Sequence, residues 1–414
     1  MIGRRTAIVC FFLLLAACGE GIPSTSQHQP RAIPVQHVAA AAGAGVAWFA
    51  GMRGITPDGQ VLNLSGSPYL NGSRGSWGLR SSDGGRLYVL ASGKLEIASA
   101  ADGGMIRAID LPSDLGTNAG SASVSPDGRW LGLATPGGAG TKLVLIDLEH
   151  GELAASGTLA AASGGASAPS GTGLLATPSG RLLVVTPDGQ LVVVQPQGRL
   201  MNVTARATAS ALSCYSDGPP LIHLAPDGGT LIGYCPFDGS VWWFDLSKFK
   251  VTAQLPVQLG NPFWGSPVFS PDERRLYIYD SWKGRVNVVD LAQRRLLRSG
   301  EVARPQVSFS LPFVHDAFAK GPNFSASLSA DMHTLFVTGQ HGTGGGLYGV
   351  DTETLAVKAR WLDGRTLRAV WAGGDGLAVY AVEESAGNVV DIIDPNTGNV
   401  RTLRLDVATD FVVP

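Results

Sequence analysis

One sequence element recurs seven times and leaves few folds open. Each copy is a short small-apolar run, a turn of the type Ser-Pro-Asp-Gly, and a run of the type Leu-Tyr-Val. Copies begin at Ser81, Ser123, Thr177, Leu224, Phe269, Leu328 and Ala372. The aspartate position is held by Asp83, Asp127, Ser179, Asp227, Asp272, Asp331 and Asp375, at spacings of 44, 52, 48, 45, 59 and 44 residues. A period in that range, carried by strand-length apolar runs, is the signature of propeller blades. Past the first residues nothing keeps a helical period.

A second landmark follows the first. An apolar run ends in aspartate at Asp110, Asp147, Asp245, Asp290, Asp351 and Asp394, which lie 27, 20, 18, 18, 20 and 19 residues beyond the turn residue. An aspartate at a strand end bonds the backbone two residues on and starts a turn. Each repeat therefore reads as four strands: one before the Ser-Pro-Asp-Gly turn, one after it, one ending at the aspartate and one beyond. The expected fold is all-β, a seven-bladed propeller of four-stranded antiparallel sheets. Its blades fall near 77–111, 121–159, 174–205, 221–257, 266–302, 325–362 and 368–405, within a domain of residues 45–414. The stretch from Val46 to Leu64, with its own Thr56-Pro57-Asp58-Gly59 turn, is expected to add a strand to the last blade; an eighth blade is the alternative.

These repeats resemble the YVTN-type β-propeller family. Leu87-Tyr88-Val89, Leu276-Tyr277-Ile278 and Leu335-Phe336-Val337 carry the likeness, over roughly residues 77–405. Related propellers include surface proteins, sugar lactonases and the heavy chain of methylamine dehydrogenase. The resemblance implies a fold, and any of those activities would follow by analogy alone.

The N-terminus reads as an address. Arg4-Arg5 precede the eleven-residue apolar run Ala7 to Ala17, too short for a spanning helix and suited to a secretory signal. The run ends Leu15-Ala16-Ala17-Cys18, which resembles the bacterial lipobox. That likeness implies a signal peptide over 1–17, a diacylglyceryl group on Cys18, and palmitate or a like chain on its amine. An ordinary signal cut near Ala17 is the alternative, and Arg4-Arg5 matches a twin-arginine signal poorly. Gly19 is not the aspartate that retains lipoproteins at the inner membrane. The expected location is exported and membrane-anchored: the outer membrane or periplasm if the cell has two membranes, otherwise the cell surface. Residues 18–44 are rich in Gly, Pro, Ser, Gln and Ala and read as a flexible tether. Of four cysteines, Cys214 and Cys235 remain for a disulfide in an oxidising compartment, or stand as buried thiols.

Composition limits the partners. Charged residues are 15% of the chain and the net charge is −2, with no run of one sign, so a nucleic-acid footprint is not expected. The membrane, another envelope protein or a small ligand are the expected partners. No metal and no cofactor is expected, because Walker loops, paired Cys-x-x-Cys, calcium loops and metal-spaced histidines are missing. Gly344-x-Gly346-x-x-Gly349 spells a dinucleotide fingerprint, but it lies in a hairpin with no helix to follow.

Propeller topology gathers two loop sets on one face: those entering each first strand and those between strands two and three. The rim candidates there are Trp77, Trp264, Trp282, His315, Phe324 and Arg368. Aromatics in loops want partners, and the long insertion from Arg304 to Phe324 belongs to the same face. Solvated rim groups and inter-blade packing are the competing explanations. His223, on a first strand, reads as a core histidine. Two function classes follow. One is a lipid-anchored binding or interaction scaffold without catalysis. The other is an envelope enzyme of lactonase type, with His341, Glu383 and Arg368 as its acid–base and charge-stabilising groups, or a partner subunit of an amine dehydrogenase.

Overall fold

The computed structural model describes residues 45–49, 53–64, 77–81, 83–91, 93–115, 121–137, 140–160, 173–186, 189–212, 220–235, 239–257, 265–281, 283–303, 325–339, 345–384, 388–406 and 412–413. The signal peptide, Cys18 and the tether lie outside them. Among the described residues the chain is all-β, with two single 3-10 turns at Ser113–Leu115 and Ser210–Leu212.

Among the described residues the strands form eight four-stranded antiparallel blades, one more than the seven repeats predict, and two of these blades share one eight-stranded sheet. Blades 2 to 8 occupy residues 77–110, 121–160, 173–208, 221–256, 265–301, 326–361 and 367–404, each ordered from first to fourth strand in sequence. Blade 1 joins the two ends of the chain. Val412–Val413 pairs with Ala47–Phe49, which pairs with Arg53–Ile55 and then Val61–Asn63. The stretch from Val46 to Leu64 thus supplies three strands of a separate blade rather than one strand of the last. Self-similarity missed this blade because its first strand lies some 350 residues from its second, with no turn between them. Val412–Val413 lies against the first strands of blade 8, Leu367–Ala372, and of blade 2, Trp77–Arg80, so the ring closes through it.

Position in the blade explains each strand's residues. Third strands such as Ser240–Asp245 and Arg285–Asp290 are buried along most of their length, because neighbouring blades cover both faces. They read as unbroken apolar runs. The fourth strand has one wet face and alternates, as Lys250–Pro256 does. In blades 2 to 7 the register slips by one residue between third and fourth strands, a bulge that adds twist. Blades 3 and 4 are further joined where Ser156 of one fourth strand meets Leu200 of the other.

The recurrent turn is held by its own side chains. In blade 3 the Gly128 amide donates to the Ser125 carbonyl at 2.8 Å, the Trp130 amide to Ser125 Oγ at 2.9 Å, and the Ser125 hydroxyl to Asp127. Its glycine must take positive φ: 71° at Gly128, 62° at Gly228 and 70° at Gly376, while Glu273 and Met332 hold the same position at 54° and 63°. The second landmark works as expected at Asp245, whose carboxylate accepts the Ser247 and Lys248 amides at 2.9 Å. Asp110 differs. It ends the fourth strand of blade 2, Met105–Asp110, and the hairpin aspartate there is Asp102, which accepts the Gly104 amide at 2.9 Å. The outlying spacing of 27 had skipped a whole hairpin.

Two stability predictions follow from these turns. At Gly228 a Cβ meets no atom within 4 Å, so Gly228→Ala isolates the backbone cost of positive φ, about 1 kcal/mol. Glu273→Gly gains a similar amount, and urea midpoints should move in opposite directions. Hydrogen bonds from Ser81 and Ser329, with backbone amides beside them, hold Asp83 and Asp331 below the ordinary carboxylate range. A lowered folded value lends stability above the unfolded value of about 4 and loses it as pH falls further. Melting temperature should therefore be flat down to about pH 4 and drop below it, less steeply in Ser81→Ala/Ser329→Ala.

Candidate binding face

The Ser-Pro-Asp-Gly turns and the aspartate hairpins share one face of the ring. The other face carries the segments entering each first strand and the loops between strands two and three. The described part of that second face is best defined at blade 8. Here Leu367 pairs with Glu383 and Ala369 with Val382, which leaves Arg368 at a bulge in the first strand. A bulge re-aims the side chain it carries, and Arg368 is half-buried. Glu383 is the last residue of the second strand, Val379–Glu383.

The sequence did not mark the residue that organises this corner. Arg365, in the connection from blade 7, places Nη1 2.7 Å from Glu383 Oε1 and 2.9 Å from Asp391 Oδ2. The Asp391 side chain is fully buried in the third strand, and the Thr402 hydroxyl of the fourth strand donates to its Oδ1 at 2.5 Å. Burial works against the charged guanidinium, but the Asp391 and Glu383 carboxylates outweigh it and raise the Arg365 pKa above the ordinary arginine value. The connection is itself pinned. The Gly346 amide donates to the Arg365 carbonyl at 2.7 Å, and the Glu384 amide to the Thr366 carbonyl at 2.9 Å. A Cβ on Gly345 would lie 2.6 Å from the Arg365 carbonyl oxygen. Gly346 of the false dinucleotide motif is likewise in close backbone packing, with a Cβ position 3.1 Å from the Trp361 carbonyl oxygen, and Gly349 sits in the strand Leu347–Asp351 with no helix after it.

Chemically this is a fixed-charge platform. Glu383 is ion-paired with Arg365, and Asp391 is buried and bonded to both Arg365 and Thr402. Of the sequence candidates, Arg368 and Glu383 come together at one end of blade 8, and Trp77 begins the first strand of blade 2. Trp264, Trp282, His315, Phe324, His341 and Cys214 lie outside the described residues. Cys235 is disulfide-bonded and ends the second strand of blade 5, Thr230–Cys235. His223 stacks on Phe269 of blade 6 at 4.4 Å between centroids, with Nε2 3.6 Å from Glu273. That is inter-blade packing.

One cluster of metal-ligating side chains appears among the described residues, on the opposite face: Asp147, Glu149 and His150, with ligand atoms within 4.8 Å. Arg129 occupies it, 3.3 Å from Asp147 and 3.4 Å from Glu149. The Asp147 carboxylate also accepts the Glu149 and His150 amides at 3.0 Å and bonds His150 Nδ1 at 2.9 Å. The cluster is a hairpin cap closed by its own cation.

The fold is shared with solved structures at low identity. The chain aligns with dihydro-heme d1 dehydrogenase NirN, solved in complex with DHE, at a TM-score of 0.58 and 17% identity, over 88% of this chain and 73% of that one. It aligns with Sqt1 of Saccharomyces cerevisiae at 0.53 and 12%, over 83% and 86%. Both likenesses are to the β-propeller fold alone. No family model matches the chain, and no curated protein matches its sequence.

Two measurements check this geometry. Arg365→Met leaves Asp391 buried with one hydroxyl for company and should cost roughly 2 kcal/mol in urea unfolding, while Glu383→Gln should cost under about 1. The first figure lies below that of a wholly buried pair because the Arg365 side chain is 42% exposed. The hydrogen bond that His150 donates to the Asp147 carboxylate raises the His150 pKa above its ordinary value. The pairing therefore holds below about pH 6.5 and is lost as pH rises through the raised value. An NMR titration should place His150 above about 6.5, and Asp147→Asn should bring it back.

Proposed function

We propose that this chain is an exported, lipid-anchored propeller that uses its loop-bearing face to bind a partner in the cell envelope. The observation that carries the reading is the corner at blade 8. Its charges are fixed by mutual pairing across three strands and the blade-to-blade connection, which suits recognition better than turnover. The anchor rests on Leu15-Ala16-Ala17-Cys18 and on the tether through residue 44. Two acyl chains on one cysteine meet the requirement for stable membrane attachment. The lactonase reading needs Glu383 as a proton acceptor, and its carboxylate is committed to Arg365 at 2.7 Å.

Two experiments test the proposal. Cells fed labelled palmitate should label the wild-type protein and not Cys18→Ser; a label that survives the substitution overturns the anchor. A photo-crosslinking residue at the exposed Asp363, beside Arg365, should trap a discrete envelope partner, and the same probe at Asn396 on the opposite face should not. Equal adducts from both faces overturn the binding face. Lactone hydrolysis by the purified protein, lost in Glu383→Gln, would replace the scaffold reading with the enzyme.

A further inference from the structure

Blade 1 has the shortest first strand of the ring. Val412–Val413 is two residues long, where the other first strands have three to six. Beyond its pairing with Trp48, the edge of the next strand is covered by side chains from the flanking blades. Tyr380 of blade 8 donates its hydroxyl to the Gly45 carbonyl at 2.6 Å. Arg80, the last residue of blade 2's first strand, donates Nη2 to the Val46 carbonyl at 2.6 Å.

Arg80 is an unusual tenant of such a place. It is 2% exposed, and its Nε and Nη1 are buried with no hydrogen-bond partner. The guanidinium lies 5.0 Å from the Trp371 ring of blade 8, an electron-rich face that offsets part of its desolvation. Burial lowers its pKa to about 10, a value still well above neutral, so the side chain is a cation. Among the described residues no carboxylate forms an ion pair with it. Glu96, on the same face of blade 2, lies two strands outward. Asp83, three residues on, is bonded to Ser81 and the Gly85 amide. The fold treats its other sequestered arginine differently: Arg53, 9% exposed, pairs with Asp406 at 2.8 Å. A desolvated cation without a counter-charge is strongly unfavourable, and a guanidinium with unfilled N–H groups seeks an acceptor.

We propose that Arg80 is the cationic wall of a buried site for a small monoanion, a halide or a one-carbon carboxylate, at the seam between blades 8, 1 and 2. The charge follows from electroneutrality: one guanidinium offsets one negative charge, and a phosphate dianion would leave an excess beside Trp371 and Tyr380. With Arg80 only 2% exposed, the anion must be small enough to be enclosed with it.

The test is thermal unfolding of the full chain at constant pH and ionic strength, with gluconate, too bulky for the site, exchanged for chloride or for formate. A saturable rise of about 2 °C is expected in at least one of the two small anions. Arg80→Gln should abolish the rise and Arg80→Lys should weaken it. The chloride and formate arms separate halide from carboxylate. A melting point that follows ionic strength alone, or an Arg80→Gln protein that responds like wild type, overturns the site. Should Arg80→Gln fail to fold, bromide-soaked crystals of the wild-type chain decide. An anomalous peak within about 3.5 Å of Arg80 Nε or Nη1 is expected, and bromide elsewhere with none there overturns the proposal.

Discussion

The structure depends on covering both faces of every sheet. The second and third strands are apolar on both sides, so no blade is stable alone. Each finds its cover in two neighbours, and the condition is met everywhere only if the ring closes. Closure falls to blade 1, whose first strand brings two residues from the C-terminal end. So few ladder bonds are a weak clasp, and side chains reinforce it. Trp48 Nε1 donates to the Ala100 carbonyl of blade 2 at 2.8 Å, and Arg53 pairs with Asp406 just beyond blade 8. Arg401 of blade 8 donates to the Asp58 carbonyl of the last hairpin of blade 1. These bonds span roughly 50 to 350 residues of sequence. The ring is fastened by contacts that no local propensity encodes.

The same geometry divides labour between the faces. On one face, most turns spend their polar side chains on themselves: serine and aspartate close the first hairpin of blades 2, 3, 6 and 7, and a second aspartate caps most of the last hairpins. Such groups have little left for a partner. On the other face the connections vary from the five residues between Trp361 and Leu367 to the much longer run between Glu301 and Ala326. Variation is tolerated there because the strands below are held from the opposite end. A binding function is therefore best supported on the variable face, where polar groups from different strands converge as they do at Arg365.

Much of this was legible before any coordinates. The turn copies marked seven first hairpins because serine, aspartate and glycine each have a local physical job, and local jobs leave local traces. Blade 1 was misread because its repeat is cut in two and scattered to the chain ends. Asp110 was misread because a strand end and a hairpin both favour aspartate. Arg365 left no trace at all, since its role depends on cross-strand register. Asp391 did leave one: a lone acid inside Val389–Ile393, an otherwise apolar third strand, must be paired or costly.

That last signal recurs, and register explains how it is resolved. Glu96, Asn287 and Asp391 occupy the same layer of their blades, opposite Val89, Ile278 and Ala381 on the second strands. Their fourth-strand partners are Ala108, Ser299 and Thr402. Where the partner bears a hydroxyl, it donates: Ser299 to Asn287 at 2.8 Å and Thr402 to Asp391 at 2.5 Å. Where it is alanine, Glu96 Oε2 is buried without a partner. Blade 2 thus turns toward the closing blade both an acid and a base that its own sheet does not satisfy. The hydroxyl answers only part of such a group elsewhere: in blade 6 it donates to the Asn287 oxygen, while Asn287 Nδ2 stays buried without a partner.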